Sequence, residues 1–306
     1  MKKRIKTKIK TTATPYLFLF PCAALILVIL IYPVLSGIIN SFYNESLIRP
    51  VQPEFVALDN YKSLLTDSMF LDALRRSVLW TLVILVFELF FGLLFAVLLN
   101  KDIYCKKLFR CLVLIPWIIP NAIAGIIWKW FLNESFGMMN YILKSIGIIS
   151  HNLSWLSDEK LAAVSVVMVI IWKSIPFVAI TLLAGIQAIP GDLYEAAKVD
   201  GANIFKRIRY ITLPQIKPTF IILLIYSLGS IMKGNFELFY QTVGNNGLLY
   251  DVTDILDTYV YRITVGQPLS IGLGSAAGLF QSIFGFVVVM VTNWAFKKKD
   301  SEYALF

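Results

Sequence analysis

The chain has 306 residues, 58% of them hydrophobic, with a formal net charge of +9 and three cysteines. Soluble domains carry about 45–50% apolar residues, so the excess belongs to a large core or to a bilayer. The basic residues cluster at the ends of apolar runs without interleaved aromatics, which argues against nucleic acid as a partner; Cys22, Cys105 and Cys111 lack the spacing of a disulfide framework or a zinc site.

The chain opens on a basic stretch over residues 1–14, with Lys2, Lys3, Arg4, Lys6, Lys8 and Lys10. The apolar run behind it, from about Tyr16 to Tyr32, imitates a secretory signal. It is longer than a signal core, and Pro21 fits poorly as the small residue expected before a lipoprotein cysteine. The segment is read as an uncleaved anchor and first span. A hydrocarbon core takes about 20 mostly apolar residues to cross as a helix, and spanning backbone must satisfy its own hydrogen bonds. Six runs meet that length, at roughly 15–39, 77–99, 111–132, 161–187, 216–237 and 270–296. The expected fold is all-α and integral to the membrane, with six transmembrane helices over residues 15–299 and a short tail at 300–306.

Lys and Arg in short loops set orientation. The N-terminus, the loop with Lys101, Lys106, Lys107 and Arg110, the loop with Lys198, Lys206, Arg207, Arg209 and Lys217, and the tail with Lys297, Lys298 and Lys299 fall on one side of a six-span chain. Both termini are therefore expected in the cytoplasm of a bacterial cell. The opposite loops, roughly 40–76, 133–160 and 238–269, are longer and less charged; the last holds the turn-rich VGNNGLLYD.

Residues 190–214 are charged yet lie between two apolar runs. Asp192 with Glu195 reads as an N-cap and capping box. Leu193, Ala196, Ala197 and Val199 give a short helix an apolar face, and Asp200-Gly201 ends it in a turn that glycine permits. Asn203 can cap a second helix with Ile204, Ile208 and Ile211 on one face, and Pro214 is read as its end. Residues alone leave two uses open: an interfacial hairpin among lipid head groups, or a docking element for a soluble protein.

The fixed positions Glu195, Ala196, Ala197, Gly201, Ile211, Leu213 and Pro214 form the pattern E-A-A, three residues, G, nine residues, I, one residue, L-P. This resembles the signature loop of membrane subunits in binding-protein-dependent ABC importers. WKSIPFVAITLLAGIQAIPGDLYEAA and IPWIIPNAIAGIIWKWFLNESFGMMNYIL resemble sugar-importer permeases of the maltose and glycerol-phosphate type. DTYVYR with SAAGLFQSIFGFVVVMVTNW resembles the branch associated with complex saccharides. The resemblance implies a type I importer permease fold whose loop, with Asp200, forms a coupling helix seated in a cytoplasmic ATPase. It implies a second homologous permease, two ABC ATPase subunits, a separate substrate-binding protein, here expected as a lipoprotein, and a saccharide, expected to be an oligosaccharide. No G-x-x-x-x-G-K-[ST] occurs in the sequence, so ATP and Mg are expected on the partner ATPases, with no cofactor or metal held by this chain and no enzyme activity of its own.

Ionisable groups within spans are costly. Glu88, in LVFELFFG, reads as a pathway or helix-bridging carboxylate, or as a protonated or internally paired one. Lys173, beside Trp172 in IIWKSIPF, reads as a structural pairing across the bundle or a sugar contact. Lys129, between Trp128 and Trp130, reads as an interfacial anchor. Asn235, Glu237 and Tyr240 near the end of span five, and Gln281 in span six, have the amide, carboxylate and aromatic chemistry that sugars use; helix–helix hydrogen bonding is the plain alternative. His151, the single histidine, has no catalytic neighbours. An ion-coupled secondary carrier would favour several carboxylates in discontinuous spans, and a membrane enzyme would need clustered catalytic residues at one face; neither accounts for the signature loop.

Overall fold

The computed structural model describes residues 16, 18–46, 52–101, 104–232, 234–243, 253–266 and 269–299, with 297–299 described by backbone alone. The basic N-terminus, nearly all of VGNNGLLYD and the 300–306 tail lie outside the described residues. Contacts divide the chain into two units: residues up to Thr66 together with Val260–Phe280, and Asp67–Tyr259 together with the chain from Gln281 on.

The first unit holds α1 (Phe18–Asn40), interrupted by a π turn at Leu27–Ile31. A two-stranded antiparallel ribbon follows, β1 (Tyr43–Asn44) and β2 (Glu54–Phe55), with Tyr43 opposite Phe55. Then comes α2 (Asp59–Thr66). Asn60 ties α2 back to the end of α1 by donating to the carbonyls of Ser41 (2.9 Å) and Tyr43 (3.0 Å). Among the described residues, none of the α1 apolar stretch is buried.

The second unit is built on two long helices, α3 (Ser68–Asn100) and α7 (Glu159–Gln187). Each starts on an aspartate. Asp67 accepts from the Met69 amide, and Asp158 accepts from the Lys160 and Leu161 amides, so orphan N–H groups of the first turns are satisfied. At 1.5 Å per residue, α3 is about 50 Å long, well over the roughly 30 Å hydrocarbon thickness. Between them lie α4 (Lys106–Ile118), α5 (Asn121–Phe131) and α6 (Met138–Ser145). After α7 come α8 (Gly191–Val199), α9 (Ile204–Gln215), α10 (Lys217–Met232) and α11 (Phe236–Val243); of α12 (Leu256–Val265) and α13 (Ile271–Lys299), the residues up to Tyr259 and from Gln281 on belong to this unit and the others to the first.

Two packed clusters hold this unit. In one, Leu85, Leu89, Ala96 and Leu99 of α3 meet Val178, Leu182, Leu183 and Ile186 of α7 and Leu223 and Leu228 of α10. In the other, Ile84 meets Val166, Val169 and Ile170 of α7, Ala124 of α5 and Leu238 and Phe239 of α11. The three- and four-residue spacings are those of helix faces. In a bilayer such packing gains dispersion energy rather than release from water.

Among the described residues, four helices are long and apolar enough to cross a membrane, Phe18–Asn40, Ser68–Asn100, Glu159–Gln187 and Ile271–Phe296. Two bent pairs bring the number to six if each pair is one span. This corrects the reading of runs 111–132 and 216–237 as continuous helices. The α4–α5 pair turns through 96°, because Pro120 pushes Ile119 into extended backbone (φ −64°, ψ 128°). The α9–α10 pair turns through 70°. At its far end, the run stops at Met232, and Phe236–Val243 is a separate helix.

Candidate functional site

The charged segment folds as a helix–turn–helix. The Asp192 N-cap does not form: Pro190 occupies that position without a side-chain cap, and Asp192 sits inside the first turn, where its charge favours the helix N-terminus electrostatically. The turn follows the expected break. Gly201 has φ +72°; its amide donates to Lys198 O (3.1 Å), and the Ala202 amide donates to Ala197 O (2.8 Å). These are the two bonds of a Schellman motif, which needs a left-handed residue at this point. Asn203 accepts from the Lys206 amide at 2.9 Å and caps α9. Pro214 does not end that helix. A π turn over Ile208–Thr212, closed by the Leu213 amide on Ile208 O, shifts the hydrogen-bond ladder just before the proline, and the helix continues to Gln215.

The two arms are tied at their base by a 2.9 Å hydrogen bond between Tyr194 Oη and Thr212 Oγ1. Glu195, Ala196, Asp200, Gly201, Leu213 and Pro214 are exposed, while Ala197 and Ile211 are half-buried. Val199 is 88% and Phe205 78% exposed, so the tip of the hairpin presents apolar side chains next to charges, uncovered among the described residues.

A cavity of about 200 Å³ lies among α3, α5, α7 and α10. Glu88, Lys173 and Asn235, singled out in the sequence, all line it, together with Asn121, Ser174, Ser227 and Ser230. Trp117, Phe177 and Tyr226 supply an aromatic wall; Trp117 stacks on Phe177 at 5.7 Å, and Phe177 lies 4.9 Å from Tyr226. Glu88 is 2% exposed. The hydroxyls of Ser227 and Ser174 reach its carboxyl group, but Oε1 has no hydrogen-bond partner. A buried acceptor in that condition is costly unless something donates to it.

Lys173 has a clear structural task. Its Nζ donates to the carbonyls of Pro116 (3.2 Å) and Ile119. These are orphan groups at the end of α4, exposed by the proline break, and a cation suits a helix C-terminus. Trp172 is not in the cavity wall; it packs edge-on against Trp128 at 5.3 Å. Glu237 and Tyr240 are on α11, not at the end of α10, because Gly234 turns the chain between them. Glu237 is exposed, and Tyr240 stacks on Phe236 at 5.4 Å.

Gln281 is drawn to a different partner, one the sequence reading passed over. Its Nε2 donates to Met232 O (3.2 Å) and to Asp257 Oδ1. Asp257 also accepts from the Phe236 amide. Gly234 has φ +92°, and a Cβ there would land on the Asp257 carboxylate, so both its conformation and its lack of side chain are required. Burial pushes the Asp257 carboxyl up from 3.8 to about 6, against the opposing effect of the Gln281 and Phe236 hydrogen bonds. Folding therefore favours the protonated form. The stability this group contributes is complete below pH 3.8 and is lost as pH rises through 6. Asp257→Asn, which keeps an acceptor oxygen, is expected to raise the thermal midpoint at about pH 8 and to flatten its dependence between about pH 5 and 8; a thermal-shift series in detergent checks this, and an unchanged pH slope counts against it.

Three kinds of likeness bear on this arrangement. Residues 88–300 match the sequence profile described as "Binding-protein-dependent transport system inner membrane component". The chain is 34% identical to the sulfoquinovosyl glycerol transport system permease protein SmoG of Agrobacterium fabrum, over 93% of this chain and 90% of that one. It is 32% identical to the trehalose/maltose transport system permease protein MalF of Thermococcus litoralis, over 96% and 97% of the two chains. In structure it resembles a chain of a bacterial ABC transporter involved in the import of the acidic polysaccharide alginate. That likeness has a TM-score of 0.82 at 27% identity and covers 96% of this chain and 99% of the other.

Proposed function

Because the chain belongs to the family of binding-protein-dependent transport system inner membrane components, we propose that it is the permease subunit through which an ATP-driven ABC importer moves a saccharide into the cell. The observation that carries this is the family match over 88–300, which takes in both the hairpin and most of the cavity-lining helices. The cavity supports a saccharide: hydroxyl and amide groups for its hydroxyls, and aromatic faces for its C–H surface. The transport functions of the relatives support the same class, with an oligosaccharide as the cargo.

The hairpin is the coupling element. Its basic flanks favour the cytoplasmic side, with both termini; there Glu195 meets a basic group of an ATPase and the Gly201 turn fits the ATPase cleft. Two ATPase subunits supply ATP and Mg, a second homologous permease completes the pathway, and a substrate-binding protein, lipid-anchored in a host without an outer membrane, delivers the cargo. ATPase closure moves the hairpin and switches the pathway between inward- and outward-facing states.

The test is reconstitution. The chain, co-purified with a second permease, an ATPase and a binding protein, is expected to take up saccharide into proteoliposomes only with ATP. Uptake driven by a sodium or proton gradient without ATP would favour the secondary carrier. A cysteine placed at Ala202 is expected to react with an impermeant maleimide only from the cytoplasmic side; labelling from outside would reverse the orientation.

A further inference from the structure

We propose that a second cavity, at the root of the charged hairpin, holds the phosphate of an anionic phospholipid of the cytoplasmic leaflet, with Lys101, Lys198 and Arg207 as its cationic grip. The choice of leaflet rests on the importer reading above; the cavity and its charges do not.

This cavity has a volume of about 370 Å³. It lies where α3 and α7 end and the hairpin begins, so it sits at the level where two spans leave the hydrocarbon. Three cations reach it from three separate places: Lys101 just past the end of α3, Lys198 on α8 and Arg207 on α9. Among the described residues, no carboxylate lines the cavity and none pairs with any of the three. Like charges gathered around one space repel unless an anion lies among them.

Arg207 gives an independent sign of the missing partner. Its Nε is buried and has no hydrogen-bond acceptor. A buried donor in that state is costly. The guanidinium is also the group whose planar fork matches a phosphate bidentately. Glu195 and Asp200, acids of the same hairpin, are exposed and form no part of the wall.

The rest of the wall favours a lipid over free phosphate. Val97, Ile186, Ile204 and Ile208 make an apolar side, which a free phosphate would leave uncovered. A phospholipid covers it with its glycerol and first acyl methylenes while the phosphodiester meets the cations. Basic pockets beside span ends on the cytoplasmic side are where anionic head groups bind.

The test uses the assembled permease–ATPase complex in phosphatidylcholine nanodiscs doped with phosphatidylglycerol that carries a photoactivatable diazirine close to its glycerophosphate. Labelled peptides are mapped by mass spectrometry after irradiation. Labelling is expected within 97–101 and 194–212. Excess unlabelled phosphatidylglycerol should reduce it at least about fivefold more than excess phosphatidylcholine does, the order of one basic residue's attraction to anionic lipid. Lys198→Gln and Arg207→Gln should each lower it by about the same factor, with Arg207→Lys recovering part of the loss. Lys206→Gln and Arg209→Gln remove charge from the same helix outside the cavity wall and should leave labelling nearly unchanged. Each variant's assembly is checked by size exclusion.

Equal competition by phosphatidylcholine, or an equal loss in the Lys206 and Arg209 variants, would reduce the effect to diffuse surface charge and overturn the proposal. Displacement by millimolar inorganic phosphate would overturn the lipid as source. Asp102, the acid next to Lys101 in sequence, is tested directly. A rise in labelling of more than about fivefold in Asp102→Asn would make that carboxylate the cations' own partner and overturn the proposal too. Absence of labelling at these peptides in a complex that takes up saccharide with ATP overturns this proposal alone. Labelling at the site in a complex whose uptake needs no ATP counts against the importer reading alone.

Discussion

Gly201→Pro is expected to leave the chain inserted and assembled while separating ATP hydrolysis from uptake. The Gly201 φ of +72° is closed to proline, whose ring fixes φ near −65°. Proline also lacks the N–H that Gly201 donates to Lys198 O. The Schellman turn would open, at a cost of about 3 kcal/mol or more. That cost falls on a surface hairpin with no buried residue in α8, so the membrane-packed helices are spared. Uptake should fall more than about tenfold with basal ATPase activity retained, as for a lost coupling contact of 1.4 kcal/mol or more. Gly201→Ala is the milder control; a Cβ there meets nothing within 4 Å, so only the left-handed backbone, about 1–2 kcal/mol, opposes it. Glu195→Lys tests the charge without the turn. Glu195 is exposed, so a folded but uncoupled variant is the expected result. Normal ATP-driven uptake in either Gly201→Pro or Glu195→Lys, measured in proteoliposomes beside ATPase rates, would remove that residue from the coupling role.

Lys173→Met should do the opposite kind of damage. It keeps the length of the side chain and removes the ammonium that holds the Pro116 and Ile119 carbonyls. Each buried acceptor left unsatisfied costs about 1–3 kcal/mol, and within a bilayer water does not replace the donor. The expected outcome is a thermal midpoint in detergent lower by several degrees and a reduced yield of assembled complex, with Lys173→Arg recovering most of both. A Met variant as stable as wild type would show that the break between α4 and α5 is held by something else.

Much of the architecture was legible before the structure, and the parts that were not have physical reasons. Apolar run length identified where α1, α3, α7 and α13 lie, because the bilayer imposes a length that sequence displays directly. It overran at residues 119–120 and at 216 and 234–235, where single residues, Pro120 and Gly234 among them, redirect the chain without lowering the hydropathy. The turn at Gly201 and the cap at Asn203 were readable because they depend on neighbours in sequence. The Asp192 cap was misassigned by two residues, since the N-cap falls at Pro190, earlier than the capping pattern suggested. The cavity was half visible. Glu88 and Lys173 stand out by charge, but Phe177 and Tyr226 look like any apolar residue of a span. Their signal was positional: Lys173, Ser174 and Phe177 share one face of α7, and Tyr226, Ser227 and Ser230 share one face of α10. Asp257 escaped notice because its partners, Phe236 and Gln281, lie on other helices, and no local pattern records them.

The hydrogen bond between Tyr194 and Thr212 gives the hairpin a mechanical character. Closed at its base by that bond and at its tip by the Gly201 turn, it has few internal ways to yield. A push on the tip is then passed on as rotation at the 70° elbow before Lys217, rather than absorbed as bending. The shaft beyond that elbow is α10, which carries Tyr226, Ser227 and Ser230 into the cavity. In the proposed importer, torque applied at one end of this lever arrives at the cavity wall by way of the elbow and α10.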